Sequence, residues 1–160
     1  MDFFTVSTFR ETLSNLTKKP RDGYMTVVKD ICNNLQKMND DILRNTNDRV
    51  KQYPKYRIVK LRLPNTGQHL SRPDGFRLIY MVSLVSDAVV LLRVYPKRGP
   101  QKAIDLVDEE YTRLTAEVIT ESKAQILHKV DVDNHLAVLS VTATLPSSSN
   151  NDTNGSAKAE

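Results

Sequence analysis

The residues of this chain best suited to chemistry are lysines and arginines on or beside three apolar, β-prone runs. Lys60 and Arg62 are two positions apart in the first run, so both side chains project from one face of a strand. Arg77 lies near the start of the second run, and Lys97 and Arg98 follow the third. If the strands are neighbours, these cations converge on one phosphate group. Phosphoryl transfer requires mainly positioning and charge neutralisation, which lysine and arginine supply.

The same cations also fit a purely structural interpretation. Arg77 could pair with a carboxylate on a helix, and Lys60 could extend its stem along the sheet until its charge reaches water. For Arg62 and Lys97 the sequence favours neither interpretation over the other.

Charge is distributed unevenly along the chain, which carries a net charge of +4. Between Lys51 and Lys102, eleven lysines and arginines face only Asp74 and Asp87, so this stretch carries +9 and the remainder −5. Such asymmetry is typical of a segment with a phosphate-rich partner, although a solvated basic surface gives the same pattern.

Other kinds of reactive site are missing from the sequence. It has no glycine-rich phosphate loop, no nucleophile elbow and no cluster of cysteine and histidine, and its three histidines are scattered singly. We therefore expect no metal and no cofactor. Cys32, the single cysteine, falls on an apolar helical stripe where we expect it to be buried. Without an internal disulfide, a secretory leader or a membrane-spanning run, we expect a cytoplasmic protein with no membrane partner.

The elements that position the cations follow from the spacing of apolar residues. Residues 3–6 predict a short first strand, and Thr8 with Glu11 resembles a capping box at the start of a helix. Apolar residues at steps of three and four then predict a second helix. They are Tyr24, Val28, Ile31, Leu35, Met38 and Ile42.

Three consecutive antiparallel strands are predicted at 57–63, 76–85 and 88–95. The pattern predicts an α+β fold, with a helical hairpin packed on one face of a small, mainly antiparallel sheet and the other face free to carry charge. A further helix is predicted from Ile104 to Val118, while 125–145 fits either more helix or a strand pair.

Three segments in this order resemble the core of the RelE/ParE toxin superfamily. They are residues 57–62 (RIVKLR), 75–80 (GFRLIY) and 89–98 (VVLLRVYPKR). They are similar to a basic KLK/KLR strand, a GYRLxY strand and an apolar strand that ends in Lys-Arg. The resemblance implies a RelE-like domain at residues 1–104. Beyond it, the residue pattern predicts a C-terminal helical extension at 105–145, uncertain in its second half, and a disordered tail at 146–160, which has no large apolar residue.

The resemblance also implies an activity, the toxin of a type II toxin–antitoxin pair. RelE-type members cut mRNA on the ribosome, with the RNA 2′-hydroxyl as nucleophile and without a metal. Lys60 would be the general base, Arg77 would stabilise the pentavalent phosphate, and Arg98 would neutralise the leaving oxygen. The implied substrate contacts are Arg57, Arg62, Arg72, Tyr95 and Lys97. The implied partners are a cognate antitoxin, mRNA and the ribosome.

Two alternatives stay open beside the nuclease. ParE-type members inhibit DNA gyrase without cutting RNA, and an inactive binding module could keep the same fold. The chain also departs from RelE, which has a tyrosine shortly after its Lys-Arg element, because residues 99–104 contain none. Tyr95 or Tyr80 could stack on a base instead. The acidic helix around residues 105–117 could shield the basic face within the same chain.

Overall fold

The computed structural model describes residues 1–46 and 48–146. The described chain contains seven strands, β1 (Asp2–Thr5), β2 (Arg49–Gln52), β3 (Tyr56–Leu63), β4 (Phe76–Ser83), β5 (Ala88–Pro96), β6 (Leu127–Asp131) and β7 (Ala137–Ala143). Its α-helices are α1 (Ser7–Thr17), α2 (Val27–Gln36), α3 (Asp40–Asn45) and α4 (Asp108–Lys123). Short 3-10 turns lie at Pro20–Asp22, Thr66–Gln68, Arg72–Asp74 and Val132–Asn134.

All seven strands belong to one sheet in the order β2-β3-β4-β5-β1-β6-β7. Every neighbouring pair is antiparallel except β1 and β5, which run parallel with Phe4 opposite Val90. The predicted α+β class and the mainly antiparallel sheet are therefore confirmed, as are the first strand and the three consecutive antiparallel strands β3 to β5.

Helices α1, α2 and α3 pack on the sheet face that carries Leu61, Leu78 and Tyr80. The hydroxyl of Tyr80 donates a hydrogen bond to the carbonyl oxygen of Leu43 in α3, at 2.9 Å. The interior of this layer is built from large side chains that are almost completely buried, among them Phe9, Tyr24, Phe76 and Tyr80. Cys32 is buried here too, as predicted, at 3% exposed.

Two details of the predicted helices are wrong. The single helix over residues 24–42 is interrupted, and α3 begins anew where the side chain of Asn39 accepts a hydrogen bond from the backbone N–H of Ile42 at 2.8 Å. The capping box of Thr8 and Glu11 does not form. Thr8 instead donates to the carboxylate of Glu117 in α4, at 3.0 Å.

The opposite face of the sheet is covered by α4, so the prediction that it is free to carry charge is wrong. Tyr111, Leu114 and Val118 of α4 are buried at steps of three and four. The helix starts beside β2, where Asp108 contacts Lys51, and reaches the start of α1, where Glu121 accepts hydrogen bonds from the backbone N–H of Ser7.

The C-terminal part contributes strands as well as a helix. Strand β6 pairs with β1, and β7 pairs with β6, which decides in favour of a strand pair within 125–145. The helical prediction for 104–118 holds only from Asp108 onward. These strands enlarge the sheet rather than forming a helical appendage to it. Except for Pro146, the predicted disordered tail lies outside the described residues.

One edge of the sheet is formed by strand β2. Strand β2, which the sequence analysis missed, is four residues long, carries Arg49 and Lys51 and has an irregular register against β3. Short, charged and bulged strands are typical edge strands, because these features discourage pairing with another chain.

Among the described residues, no helix is long and apolar enough to cross a membrane.

Candidate anion-binding site

Strands β3, β4 and β5 bring four of the predicted residues onto one face of the sheet. Arg62 lies opposite Arg77, and Arg77 lies opposite Tyr95. Lys60, two residues from Arg62, projects from the same face. Paired residues of neighbouring strands share a face, so the register alone fixes this grouping. It is the face that α4 covers.

Asp105, in the connection between β5 and α4, supplies an anion to this group. One of its carboxylate oxygens lies 3.3 Å from Nζ of Lys60 and accepts a hydrogen bond from the hydroxyl of Tyr95 at 3.2 Å. Partial burial alone would raise the pKa of Asp105. Lys60, the Tyr95 hydroxyl and the charge of Lys97 outweigh it and hold the pKa below its usual value. The carboxylate is therefore ionised at neutral pH.

Tyr95 is suited to donate to an anion at this place. It is buried, and burial together with the negative charge of Asp105 raises the pKa of its phenol well above the ordinary value. The hydroxyl therefore keeps its proton at neutral pH. The guanidinium of Arg93 lies 5.4 Å from the centre of the Tyr95 ring, which adds a cation on the same side of the sheet.

Arg77 is buried, at 5% exposed, and its guanidinium holds the loop between β3 and β4. It donates to the carbonyl oxygens of Arg72 at 3.0 Å, Pro73 at 3.0 Å and Phe76 at 3.3 Å. Burial, followed by the nearby charge of Arg62, lowers its pKa. The structure thus places Arg77 as an anchor of the loop. These partners are all backbone carbonyl oxygens. The carboxylate on a helix, with which Arg77 pairs in the structural interpretation, is not one of them.

The same loop is tied to helix α2 by a buried carboxylate that the sequence analysis missed. Asp30, at the first turn of α2, accepts hydrogen bonds from the backbone N–H of Thr66 at 3.0 Å and from its hydroxyl at 2.8 Å. The hydroxyl of Thr26 donates to the same carboxylate at 2.8 Å. Arg77 on one side and Asp30 on the other therefore fix the loop that borders the site.

Arg62 and Lys97 are the cations of this group whose side-chain N–H groups are available to bind an anion. Within the described residues, neither side chain makes a hydrogen bond or an ion pair. Arg62 is exposed and Lys97 half-buried. The backbone of Lys97 is nevertheless fixed, because its N–H donates to the carbonyl oxygen of Gly75 at 2.9 Å. Both side chains can reach an incoming anion without first breaking a contact of their own.

Arg98 lies just beyond β5 and is held apart from the Asp105 contact. Its guanidinium makes two hydrogen bonds to one carboxylate oxygen of Asp74, at 2.7 Å and 3.0 Å. Its carbonyl oxygen accepts a hydrogen bond from the hydroxyl of Tyr24 at 2.9 Å. Tyr24 also accepts the backbone N–H of Gln101 at 3.0 Å, so it fixes the segment that follows β5.

Arg57 and Arg72 point elsewhere. Arg57 lies opposite Val82, on the other face of the sheet from Lys60, and donates to the carbonyl oxygen of Arg44 at 2.6 Å. Arg72 donates to the side-chain oxygen of Asn34 in α2 at 2.8 Å. The structure does not bring these two predicted substrate contacts into the site.

The acidic residues of the site were noted in the sequence only as a possible shield. Three ion pairs now link this segment to the basic face: Asp105 with Lys60, Asp108 with Lys51 at 2.7 Å, and Glu110 with Arg93 at 3.3 Å. The shielding hypothesis is confirmed in this respect. The signal was the abrupt change from a segment of net charge +9 to the acidic run after Lys102.

The donors of the site suit an oxyanion held by an ammonium and a phenol, with further cations beside it. In the part of the chain that the structure describes, no three histidine, cysteine, aspartate or glutamate side chains are grouped as metal ligands. Comparison of the chain with protein-family models, with curated proteins and with solved structures finds no significant match. Its function is therefore argued from this site.

Proposed function

We propose that this protein is a RelE-like mRNA endoribonuclease, the toxin of a type II toxin–antitoxin pair. The observation that carries the proposal is the anion contact at the predicted phosphate position. One oxygen of Asp105 is bound by both Lys60 and Tyr95, beside Lys97 and Arg77. An oxygen of an RNA phosphodiester has the same hydrogen-bonding requirements as this carboxylate oxygen, and cations that bind one bind the other.

The proposed reaction needs no external nucleophile. The 2′-hydroxyl of RNA attacks the adjacent phosphorus, the bond to the 5′-oxygen of the next nucleotide breaks, and a 2′,3′-cyclic phosphate and a 5′-hydroxyl remain. The 2′-hydroxyl proton passes to a base, and the leaving 5′-oxygen takes up a proton. Positioned cations lower the barrier by neutralising the charge that develops on the phosphate oxygens.

In the proposed mechanism the predicted residues have unequal roles. Arg62 and Lys97 bind and neutralise the phosphate, since their donors are available. Arg77 is a positioning residue because its hydrogen bonds hold the bordering loop. Lys60 must leave Asp105 before it can act as general base, because the ion pair occupies its amino group. Arg98 must likewise release Asp74 before it can serve the leaving oxygen.

Mapping mRNA 5′ ends after induction in bacterial cells tests this proposal. We expect the wild-type chain to stop growth and to create new 5′-hydroxyl ends within translated messages, and the double variant R62Q/K97Q to create almost none. The control R49Q/K55Q removes two cations from an exposed edge strand and turn and should behave as wild type. No new ends with the wild type, or undiminished ends with R62Q/K97Q, would contradict the proposal.

A binding module without catalysis is the second candidate. It is favoured by the observation that Lys60, Arg77 and Arg98 are each held by atoms of this chain. Such a module predicts harmless induction and intact mRNA. Gyrase inhibition of the ParE kind predicts arrested growth with a DNA-damage response and intact mRNA, so the same experiment separates all three.

The proposed toxin acts in the cytoplasm on mRNA at the ribosome, and it requires a cognate antitoxin to hold it inactive. An acidic or amphipathic antitoxin segment fits the excess positive charge of residues 51–102. The finer resemblance of the fold to RelE, with a helical hairpin on one face of the sheet, belongs to the same proposal.

A further inference from the structure

Residues 103–110, here called the acidic strap, lie along the basic face of the sheet. Asp108 pairs with Lys51 on β2, Asp105 with Lys60 on β3, and Glu110 with Arg93 on β5. Acidic side chains of one short segment thus contact cations of three different strands. The strap therefore places negative charges against the cations that the phosphates of a nucleic-acid backbone would contact on the same face.

The acidic strap is held weakly. Residues 103–107 form no helix or strand, and the side chain of Ile104 is 85% exposed. The carboxylates of Asp105 and Asp108 are 56% and 83% exposed. Ion pairs exposed to this degree contribute little to stability, because water and salt screen them. A competing polyanion therefore meets little resistance from the strap.

One apolar contact fixes where the strap can hinge. Leu106 is partly buried against the core, and the N–H of Ala103 donates to the carbonyl oxygen of Pro96 at 3.1 Å. From Asp108 onward the chain is helical and is anchored by Tyr111 and Leu114. Asp105 lies between the hydrogen bond of Ala103 and the start of α4 at Asp108. Its carboxylate can therefore leave Lys60 through a rearrangement of only a few residues.

We propose that the carboxylate of Asp105 occupies the place of an RNA phosphate, and that RNA binds by displacing the acidic strap. This inference rests on the proposed function and adds the regulation of its site. The strap keeps Lys60 covered while RNA is absent. A phosphate that replaces Asp105 takes over the hydrogen bonds of Lys60 and Tyr95 and gains Arg62 and Lys97, which the strap leaves without hydrogen bonds.

Fluorescence anisotropy with a labelled single-stranded RNA tests this inference in the full chain. We expect D105N to bind about three- to fivefold tighter than wild type, which is the upper part of the range for one exposed ion pair. The control D133N makes the same chemical change on the turn before β7, four strands from Lys60 or about 19 Å across the sheet. It should change the affinity by less than about 1.5-fold.

The other possible results distinguish a failure of this inference from a failure of the proposed function. Equal binding by wild type and D105N, together with weaker binding by K60Q, overturns the strap and leaves the proposed function standing. If D105N and D133N tighten RNA binding equally, the effect is due to net charge alone, and the proposal that RNA displaces the strap is also overturned. If neither wild type nor D105N binds RNA, both proposals fail. Thermal denaturation of each variant establishes that it is folded.

Hydrogen exchange gives a second readout that a merely structural role of Asp105 would not produce. Inorganic phosphate, compared with chloride at equal ionic strength, should speed exchange in wild type at the amide of Val107, which donates to a carboxylate oxygen of Glu110 at 3.2 Å within the strap. In K60Q, which lacks the ammonium at the centre of the site, phosphate should have less effect. Exchange that is the same in phosphate and chloride in the wild-type protein would contradict displacement of the strap.

Discussion

Arg62 and Arg77 lie directly opposite each other in the antiparallel ladder of β3 and β4, on one face of the sheet. Like charges at such a position destabilise a sheet. Burial lowers the pKa of Arg77, and the charge of Arg62 lowers it further. Asp105 lies near enough to oppose that effect but pairs with Lys60. A site that retains this arginine pair is more stable with an anion bound.

Replacing Arg62 should therefore separate stability from binding. We expect Arg62→Gln to raise the free energy of unfolding by about 0.5 kcal/mol, because it removes a cross-strand repulsion. The same variant should bind RNA several-fold more weakly. Urea denaturation and anisotropy measure the two effects, with Arg49→Gln as a control for loss of one exposed cation. A variant that loses stability and keeps its affinity would show that Arg62 is structural.

Arg77 should behave in the opposite way. Lysine cannot reproduce a guanidinium that donates to carbonyl oxygens of Arg72, Pro73 and Phe76, so we expect Arg77→Lys to lower the free energy of unfolding by about 2 kcal/mol. For this reason, an effect of Arg77→Ala on RNA cleavage would not by itself establish a catalytic role. A change below about 0.5 kcal/mol, as expected of exposed Arg62→Lys, would contradict this anchoring role.

Gly75 is required by a close approach of backbone atoms. A Cβ at this position would overlap the carbonyl oxygen of Leu63 and lie 2.7 Å from the backbone nitrogen of Asn65. Because backbone cannot rotate away, we expect Gly75→Ala to cost about 3 kcal/mol. In the control Gly67→Ala, the new Cβ meets only side-chain atoms, those of Thr26 at 3.0 and 3.1 Å and of Asn65 at 3.6 Å, which can shift. Equal denaturation midpoints for the two variants would contradict the close approach.

Cys32 should be unreactive while the protein is folded. Burial raises the pKa of its thiol to about 11, so almost no thiolate is present at pH 8. Iodoacetamide should label it only after unfolding in urea, as mass spectrometry can record. Because the folded pKa is the higher one, stability is lost as pH rises from the ordinary thiol value toward 11. Rapid labelling of the folded protein at pH 8 would contradict this.

Much of the fold could be predicted from periodicity. Strands β3, β4 and β5 are apolar runs bounded by turn residues, and their alternation predicted that Lys60 and Arg62 share a face. The register of β3 against β4 adds Arg77 to that face. The break between α2 and α3 could not be predicted in this way, because the apolar spacing continues through it. What decides the break is the side chain of Asn39, which caps a new helix and supplies a local hydrogen bond that periodicity does not register.

The central contact of the site could not be predicted from spacing. Asp105 lies 45 positions after Lys60, in a segment without regular structure, and meets it only because α4 folds back across the sheet. The side-chain direction of Arg98 depends likewise on Asp74, which is distant in sequence. The face of Arg57, by contrast, follows from the alternation of β3, which puts it on the opposite face from Lys60. Charge asymmetry indicated that acidic and basic segments would meet, but not which atoms.

A crystal structure with an RNA dinucleotide that carries a 2′-O-methyl group, and so cannot be cut, tests the central claim most directly. The account predicts that the phosphate contacts Nζ of Lys60 and the hydroxyl of Tyr95, with the carboxylate of Asp105 moved away. A phosphate bound elsewhere, with the contact between Lys60 and Asp105 unchanged at 3.3 Å, would contradict it.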